Sequence, residues 1–229
     1  FGVGSGGGIG LGDLFNSGGG SKGSASASEA RDRIKKNPND AGAYRALSTA
    51  LQTDGDLQGA ATALKHFTTL KPKNAEALAE LAGLYTALGN RRQTEVVAAQ
   101  TASQESSFAT VIATGLQSKK QSVVGPDAIF GSLATLTNDR LTKLYQQQQD
   151  DFNQAEGVNK SIVALNPKDA NAQLNLGQAA QSAGDAKTAI AAYKKFVKLA
   201  PDDPTAALVK QQIEALRQSS RPQTATPGG

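Results

Sequence analysis

The chain has 229 residues, with 24 Lys and Arg against 20 Asp and Glu, a net charge of +4 and aromatic residues at only 5%. The basic excess is scattered in pairs such as Arg91–Arg92, Lys119–Lys120 and Lys194–Lys195, not gathered with aromatics into the concentrated footprint that nucleic-acid binding needs. There is no Cys, which removes a disulfide framework, a thiolate metal site and a catalytic thiol, and suits any compartment.

In chain order, residues 1–24 come first and are Gly-rich. Gly occupies every even position from 2 to 12, while Phe1, Val3, Ser5, Gly7, Ile9, Leu11 and Asp13 hold the odd ones. A period of two is how an extended strand shows two faces. Here one face carries no side chain, so another backbone could approach it closely. Two readings follow: a flexible tether, or a docking arm that adds as an extended segment to a partner or to the next copy. In the second, Phe1, Val3, Ile9, Leu11, Leu14 and Phe15 are the apolar contacts. Gly2 to Gly7 fits the letters of a dinucleotide fingerprint, but no strand precedes it and no helix follows, so it carries no such function.

Residues 25–218 are helical in pattern. An opening helix, ASEARDRIKK, stops at Asn37-Pro38. A helical hairpin then spans 40–72. Its first helix runs from Asp40 to Thr53, Asp54-Gly55-Asp56 makes the turn, and Lys71-Pro72 closes its second helix. Leu57, Ala60, Ala61, Leu64, Phe67 and Leu70 share one face of that second helix. A second hairpin is expected over 74–104, turning at Leu88-Gly89-Asn90. Residues 105–126 break the period, with a short helix in SSFATVIATGLQ and a loop in SKKQSVVGP. A third, elongated pair is expected over 127–167: a helix from Pro126 to Gln149, with Pro in its first turn, and a partner from Asp151 to Leu165. The apolar positions of the longer helix are Ile129, Phe130, Leu133, Leu136, Leu141, Leu144 and Tyr145. A fourth hairpin over 168–201 turns at Gly184-Asp185 and ends at Pro201. A final helix over 203–218, capped by Asp202 or Asp203, would cover the last apolar face. The tail 219–229 is polar and rich in Pro and Gly, with no means of burying a core.

Tyr44, Leu47, Leu51, Gly55 and Asp56 recur 34 positions later as Leu78, Leu81, Tyr85, Gly89 and Asn90. That period with those residue types marks a stack of helical hairpins. The residues resemble the tetratricopeptide repeat family. The fourth hairpin matches its pattern at Leu176, Gly177, Gly184, Ala189, Tyr193 and Pro201. The first matches at Tyr44, Leu47, Gly55, Ala60 and Pro72, the second at Leu81, Tyr85 and Gly89, and the third only at Ala155 and Pro167. The resemblance implies an all-α solenoid and a protein-binding scaffold. It also implies a concave groove lined by the first helix of each hairpin: Arg45, Thr49 and Gln52, then Glu76, Ala79 and Gly83, and last Asn171, Leu174, Gln178 and Gln181. Some members clamp a terminal carboxylate with a Lys and Asn cluster, which these residues do not contain. The bland alternative is that they are ordinary solvated side chains.

Nothing in the sequence marks a reaction. His66 is the sole His and has no acidic or thiol neighbour at ligand spacing. The Ser residues lack a paired base. Asp54/Asp56, Asp150/Asp151 and Asp202/Asp203 read as helix caps. The expectation is a non-enzyme without cofactor or metal, whose partners are proteins or copies of itself. A chain that starts at Phe1 and contains no Met suggests a missing leader or anchor, hence an extracytoplasmic or membrane-associated setting, with a cytoplasmic one as the alternative and any membrane contact made upstream of Phe1. The alternatives are a subunit of a self-assembling filament joined through the arm, and an accessory subunit of an enzyme complex.

Overall fold

The computed structural model describes residues 27–115 and 126–220, with side chains at all of these outside 105–134. The Gly-rich arm, most of the expected loop before Pro126, and the tail from Arg221 lie outside them. Among the described residues the fold is all-α, helices without strands, built from stacked hairpins of the α-solenoid class. In chain order these are α1 (Ala27–Lys36), α2 (Ala41–Thr53), α3 (Leu57–Leu70), α4 (Ala75–Gly115), α5 (Pro126–Leu165), α6 (Ala170–Ser182), α7 (Ala186–Leu199) and α8 (Ala206–Ser219). Two compact units divide the chain, Phe1–Leu84 and Tyr85–Gly229.

In the first unit, α1 packs on α2 and α2 on α3. Asp40 starts α2: its carboxylate accepts from the Ala43 N–H at 2.9 Å and from the Arg33 guanidinium at 2.9 Å. Those bonds, the Ala43 N–H first, hold its carboxyl below the usual range. Gly55, at φ 77°, makes the turn that an L side chain would resist, and Asp56 caps α3 through the Gly59 N–H at 2.8 Å. Across the hairpin, Ser48 is buried and donates to the Ala60 carbonyl at 3.0 Å. Ala60, Ala61, Ala63 and Leu64 form the small-residue face that lets the helices close.

The second unit repeats this plan in α6 and α7. Asp169 caps α6, Gly184 turns at φ 77°, and Asp185 caps α7 through the Thr188 N–H at 2.9 Å. The match extends to packing: Gly177 stands where Ser48 does, and Tyr193 stands where Leu64 does. A Cβ on Gly177 would come inside 3.0 Å of the Tyr193 ring, so the absent side chain is what admits the large one. Helix α8 closes the hairpin with Ala206, Val209 and Ile213 against Ala180, Ala189, Tyr193 and Phe196. Fully burying a side chain such as Phe196 contributes about 1.5–3 kcal/mol.

The middle of the chain departs from the sequence expectation. No turn occurs at Leu88-Gly89-Asn90, because α4 runs unbroken for 41 residues. Gly89 serves another purpose: a Cβ there would lie 2.5 Å from the Phe152 ring of α5. Likewise no break separates Gln149 from Asp151, and α5 runs unbroken for 40 residues. The second and third hairpins are therefore replaced, over the described residues, by two long helices. Within Tyr85–Gly229 these run antiparallel, tied by Gly89 against Phe152, Arg92 to Asp151 and Gln100 to Tyr145. Asp150 and Asp151 are thus not caps. Asp151 is buried mid-helix, 2.7 Å from the Arg92 Nε. Leu136, expected on the apolar face of α5, is 66% exposed. At α8 the cap is Thr205, which makes no side-chain capping bond, and Asp203 instead accepts from the Thr205 N–H at 2.7 Å.

Candidate functional site

On α2, helical spacing puts Arg45, Thr49 and Gln52 on one face. The structure brings Arg45 and Gln52 against the start of α4. Arg45 pairs with Glu76 at 3.6 Å and with Glu80, and lies over the Phe67 ring at 5.9 Å. Gln52 donates to Glu80 at 2.7 Å. Thr49 is exposed but donates back to the Arg45 carbonyl of its own helix at 3.1 Å. Ala79 is exposed and Gly83 half-buried on α4. This face therefore satisfies its own charges, leaving mainly the carboxylate of Glu76 in water. Glu80, the hub of the network, was not among the sequence-derived groove residues. Its signal was available, since it follows Glu76 by four residues and so shares its face.

The second unit holds a cleft of about 580 Å³. Helix α6 supplies Leu174, Gln178, Gln181 and Ser182; α4 supplies Asn90 and Gln93; α5 supplies Gln148 and Phe152. Tyr193 of α7 and Thr205, Leu208, Val209 and Gln212 around the start of α8 complete the wall. Three of the four residues read from the register of α6 thus meet at one place. Asn171, the fourth, is exposed and not in the lining. Phe152, Gln148 and Gln93 escaped sequence reasoning because they converge only if α4 and α5 continue through their expected breaks. Gln212 and Leu208 escaped because α8 reads as a lid.

The lining carries no charge at neutral pH. Its one ionisable group, the Tyr193 hydroxyl, is pushed above its ordinary range by burial. That hydroxyl donates to Gln181 Oε1 at 2.8 Å, and Gln181 Nε2 donates to Gln212 Oε1 at 3.2 Å. A chain of neutral amides therefore runs from α7 across α6 to α8, above an apolar floor of Phe152, Leu174 and Val209. Each amide side chain offers both a donor and an acceptor, as a peptide group does. The lining thus presents hydrogen-bond donors and acceptors side by side, with the hydroxyls of Ser182, Thr205 and Tyr193 among them.

Elsewhere, His66 is exposed and stacks on Tyr44 with ring centroids 5.0 Å apart. Among the described residues no group of three or more His, Cys, Asp or Glu could hold a metal ion, and no helix is long and apolar enough to cross a membrane.

Comparison with known proteins places these hairpins. A family model described as a tetratricopeptide repeat matches residues 141–214, which span the end of α5, all of α6 and α7, and much of α8. No curated protein matches the chain. Among solved structures the chain is similar to MamA, at 17% identity over 84% of this chain and 75% of that one, with a TM-score of 0.43. It is similar to the APC/C hetero-tetramer Cut9-Hcn1 at 17% identity, over 84% of this chain and 39% of that one, TM-score 0.27. It is also similar to YrrB, described as a TPR protein with an unusual peptide-binding site, at 16% identity over 81% and 100%, TM-score 0.26. The family match lies on the capped hairpin and its Gly177–Tyr193 contact, so residues 141–214 are similar to the tetratricopeptide repeat family.

Proposed function

We propose that this chain is a non-catalytic scaffold that holds uncharged peptide segments of other proteins in the cleft between α6 and α8. Stacked helical hairpins are a protein-binding architecture, and the tetratricopeptide match over residues 141–214 supports that much. The observation that carries the finer reading is the lining itself: five Gln amides, one Asn and an apolar floor, with no Lys, Arg, Asp or Glu. A charged peptide entering it would lose hydration without gaining a partner. An uncharged segment would exchange water for amides and place an apolar side chain on Phe152 and Leu174. The test is fluorescence anisotropy with labelled neutral and charged peptides against the full chain and against Gln178→Glu. Gln178 is exposed, so the fold should survive the change. Neutral peptides should bind the variant at least about tenfold more weakly, the size of one lost charge-sensitive contact. Equal affinities would remove the cleft from the function.

The setting belongs to the same proposal: an exported or membrane-tethered assembly, for which a Cys-free chain is suited even under oxidising conditions. Fractionation of source cells checks it, and recovery only in the cytosol would sink it. A second reading makes the chain a subunit of a homopolymer joined through its arm. The strict Gly alternation from 2 to 12 favours it. Light scattering behind size exclusion decides it, because a strictly monomeric chain would end that reading.

A further inference from the structure

Two walls of the glutamine-lined cleft carry the same pair of side chains. On α6 they are Leu174 and Gln178, on α8 Leu208 and Gln212, and each stands 34 residues from its counterpart. Within a pair the spacing is four residues, so leucine and amide share one face of their helix, about 6 Å apart along its axis. One hydrophobic cluster joins the walls: Ala180 of α6, Tyr193 of α7, and Val209 and Ile213 of α8, with Leu174 packed against them. Gln181 also reaches from α6 to Gln212 at 3.2 Å. The cleft is thus one subsite written twice, and helices that share a core lie about 8–10 Å apart.

We propose that the guest is a peptide in the polyproline II conformation, carrying an apolar side chain at every third residue, one for each leucine. The inference rests on the reading of the cleft as a site for uncharged peptide, and it adds the shape and spacing of that peptide.

Spacing separates the possible conformations. A polyproline II helix turns once in three residues at about 3.1 Å each, so residues i and i+3 share a face about 9.3 Å apart, the distance between the two walls. A β-strand brings residues to one face at about 6.6 Å or about 13 Å, which falls short or overshoots. An α-helix places i and i+7 about 10.5 Å apart, but its backbone groups bond one another and gain nothing from glutamine amides. Polyproline II has no internal hydrogen bonds, and its carbonyls stay open to the amides of Gln178 and Gln212. Charge agrees as well, since a guest of proline and apolar residues is as neutral as the lining. Leu208 is 58% exposed and so available to an apolar side chain.

The test compares labelled peptides with blocked ends, by fluorescence anisotropy against the full chain. One is Leu-Pro-Pro-Leu-Pro-Pro; its isomer, Pro-Leu-Leu-Pro-Pro-Pro, has the same composition and charge but adjacent leucines. The first should bind at least about tenfold more tightly, because only it can fill both subsites. Leu208→Ala changes an exposed residue and should erase that preference. Leu199→Ala, exposed but outside the lining, should preserve it. Equal affinities of the two isomers overturn the proposal, and so does a preference that survives Leu208→Ala. A strand-forming peptide, Leu-Thr-Leu-Thr-Leu-Thr, should bind more weakly than the first; tighter binding would overturn the assigned conformation. If neutral peptides bind without regard to leucine spacing, this inference falls and the peptide-binding reading stands. If no neutral peptide binds, both fall.

Discussion

Gly177 and Gly157 both lie within helices, yet the surroundings give Ala the opposite sign at each. Mid-helix, Gly→Ala gains up to about 1 kcal/mol from backbone propensity. At Gly157 no atom lies within 4 Å of the would-be Cβ, so Gly157→Ala should raise stability by most of that amount. At Gly177 the new methyl meets the Tyr193 ring, whose hydroxyl is anchored on Gln181. Overpacking of this kind costs about 1–3 kcal/mol and outweighs the propensity gain, so Gly177→Ala should lower stability. Urea unfolding of the two variants measures both signs, and a stabilised Gly177→Ala would mean the ring is free to move. Two carboxylates oppose each other in acid. Burial raises Asp151 above its ordinary 3.8 despite Arg92 beside it. The folded chain thus holds that proton more tightly, a contribution present below 3.8 and lost as pH rises through the raised folded value. Asp185 is lowered, chiefly by the Thr188 hydroxyl and N–H, so its contribution is present above 3.8 and lost as pH falls through the lowered value. Asp151→Asn should flatten the Tm profile above 3.8. Asp185→Asn should flatten it below, with the cap kept because Asn caps as well as Asp. Melting curves from about pH 2.5 to about pH 6.5 check both, and a wild-type profile in either variant contradicts its assignment.

Two hairpins were legible in the sequence because their turns leave independent marks. Gly55 and Gly184 each adopt positive φ, and each is followed by an Asp whose carboxylate bonds the next helix. Gly89 writes the same letter for a different reason, since it yields room to Phe152 inside a continuous helix. Only the partner helix distinguishes a turn glycine from a close-packing one, and the partner is not local. The same non-locality hid half of the cleft: Leu174, Gln178 and Gln181 follow from the register of α6, while Phe152 and Gln148 require α5 to run on past Asp150. Hydrogen exchange tests the long helix directly. The amides of Leu88, Gly89, Asn90 and Arg91 should be protected like those of Leu84 and Val96. Exchange at the unprotected rate would mean a turn there after all. Asn90→Pro should cost about 3 kcal/mol or more in a continuous helix, against little at the first position of a new one.

At the scale of each unit, a half-buried arginine is matched by carboxylates while the cleft lining carries no charge. Arg45 is matched by Glu76 and Glu80 in the first unit, and Arg92 by Asp151 in the second. Peptide affinity at the cleft should therefore change less than about twofold between roughly 0.05 M and 0.5 M salt, because screening acts on charges the lining lacks. A steep salt dependence in a binding titration would place the ligand elsewhere. The net charge of +4 should act on encounter rates with acidic partners and not on this contact. A wall of glutamines has one more property. A half-rotation of each terminal amide exchanges its oxygen for its nitrogen at nearly the same volume. Apart from Gln181, whose orientation Tyr193 sets, and Gln212, whose oxygen faces Gln181, the amides of Gln93, Gln148 and Gln178 would meet a peptide running forwards or backwards equally well. A site of that kind would select for neutrality and be indifferent to direction.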